Sequence, residues 1–314
     1  MTLAGATASP GADVPAREAA GTEVVLDLHG VVVRVHSELP DLLDGLRTSW
    51  KGMIVDRWES IGASDGDVTT IRVREERGRV TIGDGEGTHL VAPGGSPLIA
   101  LFDRVVNALN RGLDRAGILA IHAGAVEIDG QAVILAGPSG RGKSTLVAEL
   151  VHQGAGLLSD ESALVDRDDR TILPYPRALH LRPATVALIP GLRLPNDLPR
   201  HDLGGGSEVA IGPDRVADLL GGRRSMGAPL GGVILLDERL DANAAPQIAP
   251  APAALAVMEL LRGTTSAAWN LGRARDRLID VIASVPCARV RAGDLGATGA
   301  AVVEWARASA RAST

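Results

Sequence analysis

Eight consecutive residues constrain this chain more than any others: Gly137-Pro138-Ser139-Gly140-Arg141-Gly142-Lys143-Ser144. They satisfy G-x-x-x-x-G-K-[ST] and lie between an apolar stretch, 132–136, and a segment of helical spacing, 143–153. A strand that bends through glycines into a helix turns backbone N–H groups inward, and the helix start adds its positive end, so such a loop cradles phosphate. In that cradle Lys143 is expected to reach the β- and γ-phosphates and Ser144 to offer its hydroxyl to Mg²⁺, while Thr145 caps the helix or touches the α-phosphate. Lysine is scarce here: Lys51 and Lys143 are the only two among 32 basic residues, so one at this position carries information. ATP and Mg²⁺ are the cofactors this loop predicts.

Composition narrows the alternatives. With 314 residues and 45% hydrophobic content, the chain can bury a large core and suits one large domain or two unequal ones. A net charge of −6 gives no general attraction to nucleic acid or anionic lipid. The single cysteine, Cys287, cannot form an internal disulfide, and no Cys/His cluster has zinc spacing, which predicts a reducing compartment, the cytoplasm. Residues 1–22 lack the basic start and apolar run of a signal peptide and are expected to be a disordered leader. No run approaches the roughly eighteen apolar residues of a membrane helix.

The fold class predicted is α/β, a P-loop core with a smaller N-terminal α/β domain. Residues 23–95 are strand-rich, with Ile71/Val73 and Val80/Ile82 alternating about Glu76-Arg77-Gly78. Leu98, Leu101, Phe102, Val105, Leu109 and Leu113 predict a connecting helix over 96–117. The P-loop domain then spans 118–309, with 310–314 a tail. Within it, Asp129-Gly130 joins paired strands, 157–165 reads as a strand, and 191–232 is long loop with flexible points at Gly204-Gly205-Gly206 and Gly221-Gly222-Arg223-Arg224. Another strand, 233–236, and helices near 253–262, 276–283 and 300–308 follow, with a strand at 287–290.

Phosphoryl transfer to a hydroxyl needs a carboxylate at the acceptor and usually another at the metal. Asp160-Glu161 ends an apolar run, where a strand beside the P-loop would deliver both acids near the phosphates. In a regular strand only one could face inward, and Asp160 is favoured. The bland alternative is a solvated acidic turn. His122, one strand before the loop, reads either as a structural imidazole or as a proton-handling group. Arg177, Arg182, Arg223 and Arg224 are candidates to neutralise charge on the transferred group.

Ile121-His122-Ala123-Gly124-Ala125-Val126-Glu127-Ile128-Asp129-Gly130, the glycine loop, and Leu157-Leu158-Ser159-Asp160-Glu161, in this order and spacing, resemble the HPr kinase/phosphorylase family and its relatives. The resemblance covers residues 118–166. It implies His122, Lys143, Asp160 and Glu161 as catalytic, Ser144, Asp160 and Glu161 as metal-binding, and a core that assembles as a homo-oligomer in the family. Glu161 stands where the family carries a second aspartate. The family's later signature is not matched over 183–240, which favours relatives that phosphorylate a serine of a peptide or protein, as peptide-tailoring kinases do, or a small serine-type hydroxyl. A rival reading rests on Val233-Ile234-Leu235-Leu236-Asp237-Glu238, the apolar-strand-plus-acids element of hydrolytic ATPases. A nucleotide-sensing scaffold is a third.

Overall fold

The structure, a computed structural model, describes residues 22–56, 68–85, 87–166, 168–202 and 206–312. The expected leader before residue 22, residues 57–67 of the expected N-terminal domain, Gly204 and Gly205 of an expected flexible point, and the last two residues of the tail lie outside them.

Strands β1 (Glu23–Leu28), β2 (Val31–Ser37), β3 (Val68–Glu76), β4 (Arg79–Asp84) and β5 (Gly87–Leu90) form one sheet in that order, with α1 (Pro40–Ser49) following β2. Helix α2 (Pro97–Arg115) covers it. Pro97 starts this helix with its φ preset, and the Ser96 hydroxyl accepts from the Ile99 amide at 3.4 Å. Its stripe Leu101, Phe102, Val105, Leu109 and Leu113 buries against Leu26, Val33, Val35, Ile71 and Ile82. Trp50, fully buried, meets Phe102 edge-to-face with centroids 4.4 Å apart, an arrangement worth about 1 kcal/mol beyond area burial.

The second sheet is built from β6 (Leu119–Ile121), β7 (Gly124–Ile128), β8 (Gln131–Ala136), β9 (Gly156–Ser159), β10 (Ala163–Val165) and β11 (Thr171–Leu173). A separate three-stranded sheet comprises β12 (Leu179–Leu181), β13 (Arg200–Asp202) and β14 (Ser207–Ile211). The larger sheet continues through β15 (Arg223–Arg224), β16 (Ala228–Leu236), β17 (Gln247–Pro250) and β18 (Cys287–Arg291). Helices α3 (Lys143–His152), α4 (Pro183–Leu188), α5 (Val216–Leu220), α6 (Ala253–Gly263), α7 (Leu271–Ile282) and α8 (Leu295–Ala312), with short 3₁₀ turns at Lys51–Met53 and Thr265–Ala268, complete the described elements.

β8 and β18 flank β16 in parallel, while β7 runs antiparallel to both β8 and β9. The carboxyl ends of β8, β9 and β16 therefore share one edge of the sheet. Alternate residues bury into opposite layers: Val133, Leu135, Ile234 and Leu236 pack with α3 and α8, whereas Ile134, Ala136, Val233 and Leu235 pack with α6 and α7. That two-sided burial explains why β8 and β16 read as continuous apolar runs.

Several expectations change. The stretch 157–165 is two strands, because the Ser159 hydroxyl accepts from the amides of Glu161 (3.0 Å) and Ser162 (2.7 Å) and bends the chain out of the sheet. β9 does not adjoin the P-loop strand; β7 lies between them. The expected loop 191–232 holds β13, β14, α5, β15 and the start of β16, and α8 begins at Leu295 and continues through Ala312. No helix among the described residues is long and apolar enough to cross a membrane.

Candidate functional site

The glycine loop joins β8 to α3 as the motif requires. Gly142 precedes α3 at φ +92°, a conformation that disfavours side chains, and a Cβ on Gly137 would lie 2.9 Å from the Leu236 carbonyl oxygen. The Lys143 ammonium donates to the carbonyls of Gly137 (2.9 Å) and Pro138 (3.4 Å). Burial lowers its pKa, opposed by the negative charges of Glu161 and Glu259. Thr145 pairs with Thr185 across α4 at 3.3 Å.

Ser139, Gly140, Gly142, Lys143, Ser144 and Thr145 line one side of a cavity of about 630 Å³. His122, Asp160 and Glu161 stand in the same cavity, so the structure brings together the expected catalytic residues and most of the expected phosphate loop. Pro138 and Arg141 instead line a smaller cavity of about 140 Å³ on the other side of the loop, shared with Asp237 and Arg289.

The bend at Ser159 corrects the expectation that only one of the two acids could face inward: Asp160 and Glu161 both line the large cavity. Their environments differ. Burial, reinforced by the charge of Glu161, pushes Asp160 up to about 7, while Arg177 and backbone hydrogen bonds from Asp160 and His180 pull the other way. Burial also opposes ionisation of Glu161, but it is overcome by the hydrogen bond from His122 and the charge of Arg177, which hold this carboxyl at about 2. His122 Nδ1 lies 3.3 Å from Glu161 Oε1, and Arg177 lies 3.3 Å from Oε2. Of the expected metal-binding residues, Glu161 has both oxygens engaged and Asp160 accepts backbone hydrogen bonds, while Ser144 lines the cavity beside them.

Arg177 is nearly buried, its guanidinium 4.9 Å from the Trp50 ring centre and 5.7 Å from that of Phe102. It joins the N-terminal sheet's core to the acid pair. Beside it, burial pushes His180 down to about 3, helped by the charges of Arg177 and His201, so this imidazole stays neutral; its Nε2 lies 3.3 Å from the Ser49 hydroxyl. Of the other expected arginines, Arg182 lines the cavity and pairs with Glu208 at 3.0 Å. Arg223 pairs with Glu127 at 2.6 Å on edge strand β15, and neither it nor Arg224 lines the cavity, because the short β15 hydrogen-bonds to β9 from the outer side. Lys51, the other lysine, makes an exposed 2.7 Å pair with Asp214, a contact worth little.

The rival acids lie elsewhere. Asp237 ends β16 and pairs with Arg289 of β18; the Glu238 amide, first, and then Arg289 lower its pKa. Glu238 sits 3.8 Å from Arg141. Neither acid lines the large cavity.

Sequence reasoning missed one wall altogether. Asp103, Asn107 and Asn110 of α2 line the cavity, as do His180, Thr185, Arg239 and Thr265. A signal existed: 103, 107 and 110 follow i, i+4, i+7 on the face opposite the apolar stripe.

No family model matches the chain, and no curated protein does. Among solved structures it is similar to the Hpr(Ser) kinase/phosphatase from Coxiella burnetii, at 13% identity over 60% of this chain and 94% of that one, with a TM-score of 0.29. The likeness is distant, and a TM-score of 0.29 carries neither fold detail nor chemistry from one protein to the other.

Proposed function

We propose that this chain is an ATP-dependent kinase that transfers the γ-phosphate to a serine-type hydroxyl of a peptide or protein. The observation that carries the reading is the company Asp160 keeps: a carboxyl with a pKa of about 7 shares one cavity with Lys143 and Ser144, beside a second acid held at about 2. A pair of acids pushed this far apart suits division into a proton acceptor and a fixed negative charge.

The acceptor oxygen attacks the γ-phosphorus as the bond from that phosphorus to the β,γ-bridging oxygen breaks, and ADP leaves. Asp160 takes the hydroxyl proton and later releases it to solvent. Lys143 gives up its loop carbonyls to meet the phosphate oxygens, and the amides of the loop before it stabilise the charge that spreads over the transferred group. Glu161, fixed by His122 and Arg177, keeps the proton affinity of Asp160 high; His122 and Glu161 thus act through Asp160. Mg²⁺ would neutralise the β- and γ-phosphate oxygens. Ser144 would hold it with a hard hydroxyl oxygen, phosphate and water would fill the other positions, and Asp160 would stay unliganded to take the proton. No grouping of three or more His, Cys, Asp or Glu among the described residues could cage a metal. A cytoplasmic setting suits ATP as donor and Cys287, a thiol that burial pushes up to about 11.

The test is transfer of labelled γ-phosphate from Mg-ATP to serine peptides, an HPr-like protein, free serine and water, with Lys143→Ala as control. The reading requires Lys143-dependent label on a hydroxyl acceptor with little free phosphate. Rapid phosphate release to water and no labelled acceptor would refute it.

A further inference from the structure

Arg177, which pairs with Glu161, lies 5.7 Å over the ring of Phe102 in α2, and α2 lines the same cavity as the acid pair, so an acceptor at Asp160 lies within reach of α2. That wall has a definite charge. The helix carries Arg104 and Arg111, but both pair with Asp84 of the sheet beneath, at 3.7 and 3.0 Å. The charged side chain α2 offers to the cavity is Asp103, which is exposed; beside it stand Asn107 and Asn110, the latter bound to Thr265 at 3.0 Å. Arg177 is committed to Glu161, and the cavity's other cations, Lys143, Arg182 and Arg239, come from the loop, from the start of α4 and from beyond β16. Asp103 is therefore a charge that α2 turns to the cavity with no ion pair of its own among the described residues. Burial and the charge of Glu161 both raise the pKa of Asp103, outweighing Arg177, as expected of a carboxylate in such a field.

The space also continues. A second cavity of about 360 Å³ shares Ile99, Asp103 and Asn107 with the first and runs over α2 to His89 and Val91, at the edge strand β5. Arg104 also lines this groove, on the side facing the sheet, where it shares Asp84 with Arg111. A small hydroxy acid would leave the groove empty and set its carboxylate against Asp103.

We infer that the acceptor is an extended peptide segment bearing a lysine or arginine beside its serine, that it lies along α2, and that Asp103 is the specificity-determining residue reading the cation. This rests on the kinase reading above. An unpaired like charge facing Asp103 would be penalised as strongly as a cation is rewarded, so selectivity has both an attractive and a repulsive arm.

The experiment measures kcat/KM for serine peptides in which a lysine, a glutamate or an alanine is moved stepwise through the flanking positions, with free serine alongside. Wild-type enzyme, Asp103→Asn and Asp103→Lys are compared. At one or two positions wild type should prefer lysine over glutamate by about tenfold or more. Asp103→Asn should collapse that ratio towards one, and Asp103→Lys should invert it. A lysine preference that persists in both variants, or free serine used as well as the peptides, overturns the inference while leaving the kinase reading intact. Absence of Lys143-dependent label on every acceptor overturns both.

Discussion

Two acid pairs in this chain look alike and sit in different surroundings. Gly156-Leu157-Leu158-Ser159-Asp160-Glu161 and Val233-Ile234-Leu235-Leu236-Asp237-Glu238 each end a strand parallel to β8, at the same edge of the sheet. After β9 a serine bends the chain, and both carboxylates enter a cavity where burial and the charge of Glu161 raise Asp160, while the hydrogen bond from His122 and the charge of Arg177 hold Glu161 low. After β16 the next strand, β18, supplies Arg289 from its exposed surface, and Asp237 becomes one half of a solvent-facing ion pair. Adjacency to β8 does not set the surroundings of either pair; the neighbours that remove water and supply charge do.

The largest effects should separate the two pairs outright. Lys143→Ala and Asp160→Asn should each lower phosphoryl transfer by about 10³-fold or more, while calorimetric titration shows that Asp160→Asn still binds nucleotide. Next comes the anchor between the pair and the N-terminal sheet. Arg177→Ala leaves Glu161 without its cation and opens space between Trp50 and Phe102, and should cost about 2 kcal/mol or more in denaturant unfolding; the figure is held down because Glu161 is one-third open to solvent.

The pH profile sharpens the contrast further. Asp160 must be ionised to accept a proton, so activity should fall as pH drops through about 7. Glu161→Gln removes a charge that raises Asp160, so the acid limb should move to lower pH, short of an ordinary carboxylate because burial remains the larger cause. Stability follows the sign of each shift. Asp160, raised in the folded state, favours the fold most below its unfolded value and loses that contribution as pH rises through 7, so Asp160→Asn should stabilise the protein at pH 8. Glu161, lowered, contributes above its unfolded value, and its contribution fades as pH falls towards 2. The smallest effects belong to the other pair: Asp237→Asn and Glu238→Gln should change transfer less than about threefold and unfolding by no more than about 0.5 kcal/mol, as exposed ion pairs do.

The parts of the candidate site that are each contiguous in the chain could be picked out from the sequence: the glycine loop, the acid pair after β9, and His122 before β7, which the structure places around one cavity. Their spacing encodes strand, turn and helix directly. Local pattern also revealed α2 and the buried strands. What stayed hidden depends on distant packing. Arg177 reads as one arginine among many until Trp50, well over a hundred residues earlier, stacks on it. Asp103, Asn107 and Asn110 read as the solvent face of a linker helix until α2 closes over the cavity. The strand break at 160–162 was missed because a serine accepting two amides leaves no mark in hydrophobic periodicity.

The central claim is that Asp160, and not Asp237, is the carboxylate that accepts the proton in the reaction. Its most direct test is one assay of labelled γ-phosphate from Mg-ATP, counted separately on serine peptide and as free phosphate, for wild type, Asp160→Asn and Asp237→Asn side by side. Peptide label should vanish in Asp160→Asn and survive in Asp237→Asn. Free phosphate produced by wild type, lost in Asp237→Asn and unchanged in Asp160→Asn, would contradict the account and make the second pair the chemical one.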